Sequence, residues 1–142
     1  MPLLTRTSLS TLALLTALGC SASATAGEPA VHDQVAEGGK LFGKYCAKCH
    51  GNAGQGTKKG PAVVGQGALP LDAAATAKVR TAQFHTAQDV AAFVATKMPA
   101  NKPGSLTVEQ YYDILAFDLK ANGVDVTGKT IDAKSAAEIK LH

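Results

Sequence analysis

The stretch Cys46-Ala47-Lys48-Cys49-His50 decides how this chain is interpreted. On a helical turn, residues three and four positions apart lie on the same face, so the two thiols and the imidazole are presented together to one flat ligand. The thiols can add to the two vinyl groups of haem, and the neighbouring imidazole then lies beneath the iron as an axial ligand. Cys-x-x-Cys-His is the attachment motif of c-type haem. The stretch therefore predicts one covalently attached haem c, with its iron.

Other uses of the two cysteines fit less well. A zinc site needs four ligands, and Cys46 and Cys49 are the only cysteines outside the N-terminal segment. A thioredoxin-like redox pair requires a βαβ context, which the sequence does not indicate. A disulfide between them would close a very small loop and contribute little stability.

Met98 is the expected sixth ligand of the iron, because an electron-transfer haem usually has two axial ligands. It is the only methionine besides Met1, and Pro99 breaks the helical pattern directly after it. A thioether is a soft ligand that stabilises reduced iron and raises the reduction potential. Two alternatives stay open: Met98 fills a gap in the core, or His85 supplies the ligand instead.

Helical periodicity and capping signals predict an all-α domain. Apolar residues recur at helical spacing after Asp33, and Thr86 and Thr107 each begin a capping box. No β-alternation or hairpin signal appears. Residues 71 to 83 are ambiguous, with a possible short Ala-rich helix. The helices are expected at residues 33 to about 46, 86 to 97 and 107 to 123, with a further turn or two at 133 to 139.

The N-terminus has the three parts of a secretion signal: a positive residue, an apolar stretch and small residues. We expect residues 1 to 26 to be removed on export to the bacterial periplasm, with residues 27 to 32 a linker. Ala17-Leu18-Gly19-Cys20 offers an alternative, a lipoprotein signal at residues 1 to 19 with lipid attached to Cys20. In that case the protein is anchored to a membrane.

Charge excludes one class of partner. The formal net charge is only +3, with no run of like charges, so nucleic acid is not expected as a partner. Lys48, Lys58 and Lys59 are expected around the exposed haem edge, where they would steer an acidic partner. An ordinary solvated face is the equal alternative.

The sequence resembles the class I monohaem cytochromes c of the bacterial periplasmic type. Gly38 and Phe42 stand eight and four residues before Cys46, as in the N-terminal helix of that family. Ile114 and Phe117 stand where the family's C-terminal helix crosses it. The resemblance implies the cytochrome c fold, several helices wrapped around one covalently attached haem.

The resemblance also implies a role for Pro61, whose carbonyl would accept a hydrogen bond from the iron-binding histidine and fix its tautomer. It covers residues 33 to 123, the expected cytochrome c domain. It leaves residues 124 to 142 as a C-terminal extension that could be a docking arm. Asp118 departs from the pattern, since the family often carries an apolar residue there.

A single-electron carrier, not an enzyme, is the function these features imply. The expected partners are redox proteins: a periplasmic dehydrogenase, an oxidase or another cytochrome. One alternative is a permanent electron-transfer subunit of a dehydrogenase or oxidase complex. The other is a haem peroxidase or ligand sensor, which would need an open or displaceable sixth site on the iron.

Overall fold

A computed structural model of the protein describes residues 32–142. The expected signal segment, with Cys20 and its alternative lipidation, lies outside these residues. Within residues 32–142, no helix combines the length and the apolar character needed to cross a membrane.

The first helix, α1, spans Gln34–Tyr45 and begins where the sequence predicts. Asp33 is its N-cap, and the carboxylate accepts a hydrogen bond from the backbone amide of Ala36 at 3.0 Å. This contact satisfies one of the amides that have no partner in the first turn of a helix. The buried face of α1 carries Leu41 and Phe42, on the side of Cys46.

The domain is all-α, as predicted. In the part of the chain that the structure describes, no strand forms beyond an isolated bridge between Thr86 and Lys140. The remaining helices are α2 Ala47–His50, α3 Ala87–Lys97, α4 Val108–Ala121 and α5 Ala133–Glu138.

Two of the helix starts confirm the predicted capping boxes. The side chain of Thr86 accepts from the amide of Asp89 at α3, and Thr107 accepts from that of Gln110 at α4. In both, an oxygen of the later side chain accepts a hydrogen bond from the backbone amide of the capping residue. Two orphan amides are thus satisfied at each helix start, which fixes where α3 and α4 begin.

α1 and α4 pack closely because a glycine lies at their crossing. A Cβ built on Gly38 would lie 1.9 Å from the carbonyl oxygen of Asp113, so no side chain fits there. Beside this contact the rings of Phe42 and Phe117 lie 5.2 Å apart. Phe42 and Ile114 are 2% and 3% exposed, and full burial of such side chains contributes about 1.5–3 kcal/mol each. The crossing therefore holds the helix that leads into Cys46.

The C-terminal segment after α4 packs into the domain and does not extend from it as a free arm. Ile131 and Ala136 are almost fully buried in the larger of two hydrophobic clusters. Gln34 ties the segment to α1, since its side-chain amide donates to the Ile131 carbonyl at 3.0 Å and its oxygen accepts from the Ile131 amide at 2.6 Å. Farther on, the amide of Ala87 donates to the carbonyl of Ile139, which fastens the segment to the start of α3.

No helix forms at residues 71–83, where the sequence left a short one possible. Arg80 holds this stretch as a loop by donating to the carbonyls of Pro70, at 2.6 Å, Leu71 and Ala82. Its guanidinium also lies 3.5 Å from the ring centroid of Phe84. Because these carbonyls accept hydrogen bonds from the Arg80 side chain, they do not accept the backbone hydrogen bonds of a helix. The high Ala content of the stretch therefore does not determine its conformation.

Candidate haem site

One helical turn carries both cysteines and the histidine. Cys46 is the residue at which α1 ends and α2 begins, and its carbonyl accepts from the amides of Cys49 and His50, each at 3.0 Å. Both thiols are free and half-buried. The arrangement presents the three side chains together, as the motif requires.

The environment of Cys46 keeps its thiol neutral. Burial is the main cause that raises the pKa of Cys46 to about 12, and the negative charges of Asp118 and Cys49 add to the shift. A sulfur in such a place suits an uncharged thioether better than a thiolate, because low-polarity surroundings disfavour the charged form.

A loop after α2 orients the imidazole of His50. Nδ1 of His50 donates to the carbonyl oxygen of Pro61 at 2.8 Å, the contact that the resemblance implies. A carbonyl can only accept, so the proton is on Nδ1 and the lone pair is on Nε2. The loop is anchored by Thr57, whose hydroxyl donates to the Cys49 carbonyl at 2.5 Å. Gly60 lies against the ring, where a Cβ would be 3.2 Å from Nδ1. Nε2 is therefore the atom available to bind iron.

Met98 lies at the end of α3 and is held from two sides. Its amide donates to the Val94 carbonyl at 2.9 Å, and its carbonyl accepts from the hydroxyl of Tyr111 on α4 at 2.8 Å. Tyr111 is 4% exposed and Met98 is half-buried. The backbone that carries the thioether is thus fixed by a buried tyrosine that the sequence did not single out.

His85 lies at the opposite end of α3 from Met98. Its ring is exposed, with Nε2 3.2 Å from the side-chain oxygen of Gln83. α3 has 11 residues, and at about 1.5 Å per residue the helix separates the two candidates by some 16 Å. The structure therefore does not bring the two candidate ligands together.

The side chains around Cys46 fit a large apolar group. A buried cluster of Leu41, Phe42, Ala47 and Ile114 lies behind it. The residues that pack against this cluster are only partly buried: Tyr45, Cys46, Val63, Leu106 and Phe117. Partly buried apolar side chains next to Cys46 suit the face of a porphyrin. By contrast, no group of three or more His, Cys, Asp or Glu side chains within residues 32–142 could hold a metal ion directly.

Asp118 is an unexpected carboxyl at this site. It is 6% exposed, its Oδ1 has no hydrogen-bond partner among the described residues, and burial raises its pKa to about 7. The sequence marked the residue only as a departure from an apolar position. Its burial is a property of the folded domain, which no local sequence pattern encodes.

The three lysines expected near the haem edge are exposed. Lys48 lies within α2, and Lys58 and Lys59 lie in the loop that orients His50. None of the three forms a salt bridge within residues 32–142. All three side chains are thus accessible from outside the domain.

Comparison with known proteins identifies a family and a solved structure of similar fold. The family model for "Cytochrome C oxidase, cbb3-type, subunit III" matches residues 33–117. The chain is similar to one in the crystal structure of the sulfane dehydrogenase SoxCD from Paracoccus pantotrophus. The identity is 26% and the TM-score 0.55, over 75% of this chain and 52% of that one. For the thiosulfate dehydrogenase TsdBA from Marichromatium purpuratum, in its "as isolated" form, the identity is 26% and the TM-score is 0.44. This match covers 63% of this chain and 18% of that one.

The chain thus spans about half the length of the SoxCD chain that it matches. No curated protein matches it.

Proposed function

The chain belongs to the family described as cytochrome C oxidase, cbb3-type, subunit III, and on that premise we propose that it is a carrier of single electrons between redox proteins. Family and fold make it a c-type cytochrome with a covalently bound haem c, which serves electron transfer.

Cys46 and Cys49 would hold the haem as thioethers, and His50 and Met98 would supply the two axial ligands. The bound haem supplies a one-electron couple between ferric and ferrous iron. Pro61 keeps the His50 tautomer fixed, and the apolar cluster behind Cys46 keeps water away from the site.

The observation that carries the proposal is the fixed imidazole of His50 on the same turn as both cysteines. Its Nδ1 proton is engaged at 2.8 Å by the Pro61 carbonyl, which leaves Nε2 as a ligand that does not need to reorient. Met98 supports the same function, because its backbone is fixed by Tyr111 and a thioether favours ferrous iron. Two permanent ligands suit electron transfer, whereas a peroxidase or sensor needs a replaceable one.

A dehydrogenase is the partner that the comparisons favour. SoxCD, to which the chain is similar over 75% of its length, is a sulfane dehydrogenase. We propose that this cytochrome accepts electrons from a dehydrogenase of the periplasm, as a separate carrier or as its haem subunit. Exposed Lys48, Lys58 and Lys59 would steer an acidic face of that partner into a short-lived complex.

A potentiometric titration with a carbon monoxide assay tests the function. The purified holoprotein should titrate as one reversible one-electron couple, and the reduced form should not bind carbon monoxide rapidly at neutral pH. Rapid and complete binding would favour the peroxidase or sensor function and contradict the proposal.

Isolation from native cells tests location and assembly. We expect the protein in the periplasmic fraction, or in membranes if Cys20 carries lipid. Co-purification with a dehydrogenase in fixed stoichiometry would identify a subunit, and recovery alone would identify a separate carrier. Recovery from the cytoplasm would contradict the proposed export.

A further inference from the structure

Asp118 lies on the face of α4 that covers the haem-attachment turn. It follows Ile114 by four residues, so the two side chains lie on one face of the helix. Ile114 belongs to the buried cluster against which Cys46 packs, and the charge of Asp118 acts directly on the Cys46 thiol. The carboxyl is thus buried beside the residue that would carry one of the two thioethers.

Within residues 32–142, no hydrogen bond compensates the buried Oδ1 of this carboxyl. Oδ1 is buried without a hydrogen bond in the described part of the chain, and burial alone raises the pKa of Asp118. The nearby amide of Asn122 donates to the backbone carbonyls of Val63 and Asp118, at 2.9 and 2.8 Å, and not to the carboxyl.

Charged side chains of the neighbouring helices do not compensate Asp118 either. No charged group of α1, α3 or the loops contributes to its pKa shift. The negative charge of Asp118 instead contributes to the raised pKa of Cys46. Cys46 is not an expected iron ligand, and its sulfur loses its titratable proton when the thioether forms.

A buried carboxyl without partners avoids its charge by binding a proton. The charge on the haem determines how strongly the carboxyl binds that proton. Ferric iron in a porphyrin carries one net positive charge and favours the carboxylate, whereas the ferrous form carries none and favours the acid. Asp118 therefore binds its proton more tightly when the haem is reduced.

We propose that Asp118 is a proton-binding site coupled to the haem, which takes up one proton on reduction and releases it on oxidation. In this step Asp118 forms one O–H bond with a proton from water, while the redox partner donates one electron to the iron, and both changes reverse on oxidation. The inference rests on the proposed electron-transfer function and on attachment at Cys46. It does not depend on which residue is the sixth ligand.

The pH dependence of the reduction potential tests the proposal, measured on the holoprotein from about pH 5 to about pH 9. The potential should fall as pH rises through the titration of Asp118, by at most about 59 mV per tenfold drop in proton concentration. Asp118→Asn and Asp118→Leu should both flatten this slope. Haem propionates contribute equally to all variants, so the difference in slope reports Asp118 alone.

Asp113→Asn is the matched control. Asp113 is a second buried carboxyl on α4, but it is paired with His32, whose Nε2 lies 2.9 Å from its Oδ1. This variant should keep the parental slope. An equal loss of slope in the Asp113 and Asp118 variants would indicate a general loosening of α4 and overturn the proposal.

Infrared difference spectra give a readout independent of the potential. On reduction, a protonated-carboxyl C=O band should appear in the parent and be absent from Asp118→Asn. If Asp118→Asn does not fold, Asp118→Leu supplies the comparison, since an apolar side chain suits this burial. A parental slope that persists in the Asp118 variants overturns the proton site but leaves the electron carrier intact. Absence of any reversible couple overturns the proposed function itself.

Discussion

Replacement of Gly38 by Ala tests the helix crossing on which the haem site is built. A Cβ at this position would lie 1.9 Å from the carbonyl oxygen of Asp113 and 3.0 Å from Cβ of Phe117. The first distance is about 1.5 Å short of the 3.4 Å at which ordinary contact begins. The opposing atom belongs to a backbone carbonyl, which cannot rotate away, so α1 and α4 must separate.

The expected cost follows from that separation. A gap of only about 0.5–1 Å forfeits a quarter to a half of the dispersion energy of each contact, and Phe42 and Ile114 pack at this interface. Overpacking costs about 1–3 kcal/mol and sometimes more, against a gain in helix propensity of about 1 kcal/mol. Taking the upper end of that cost for a backbone clash, we expect Gly38→Ala to lower the free energy of unfolding by about 2 kcal/mol.

Gly43→Ala is the matched control on the same helix. Gly43 is exposed, and a Cβ there would meet no atom within 4 Å. Only helix propensity changes, so this variant should gain about 0.5–1 kcal/mol. Guanidinium unfolding of the two holoproteins, followed by circular dichroism, measures both effects. Equal stability of the two variants would refute the close crossing of α1 and α4.

Three further perturbations test the site and the C-terminal segment. Met98→Ala should lower the reduction potential and open the reduced iron to carbon monoxide, while His85→Ala changes neither; the opposite pattern would make His85 the ligand. Asp118 binds its proton more tightly when folded, so the stability it contributes is present below its unfolded pKa and lost as pH rises to about 7. Asp118→Asn removes this pH-dependent loss, so in the ferrous protein the variant should gain more stability at about pH 8 than at about pH 4. Urea titrations should show a difference of about 4 kcal/mol between the two gains. An equal gain at both pH values would contradict the raised pKa of Asp118. Ile131→Ala should cost about 2–4 kcal/mol in the same assay, whereas a loss below about 1 kcal/mol would show that the segment after α4 is dispensable.

Local chemistry explains which features the sequence predicts well. The caps at Asp33, Thr86 and Thr107 each depend on a side chain and an amide three residues apart. The end of α3 before Pro99 depends on two adjacent residues. The attachment turn depends on five consecutive residues, which is why it indicates the cofactor so directly.

Contacts between distant residues explain what the sequence leaves out. Gln34 and Ile131, which fasten the C-terminal segment to α1, lie 97 positions apart. The fixing of Met98 by Tyr111 and the burial of Asp118 both depend on where α4 crosses its neighbours. Periodicity places these residues on a helix but does not show which residues face them. The lack of a hydrogen bond at the buried Oδ1 of Asp118 is therefore seen only in the folded structure.

The covalent bond between the chain and its haem is the central claim, and the intact mass of the purified, denatured protein tests it most directly. After acid–acetone extraction, the polypeptide should retain the mass of one haem, and Cys46 and Cys49 should not react with an alkylating reagent. A colourless polypeptide in which both thiols are alkylated would contradict the account.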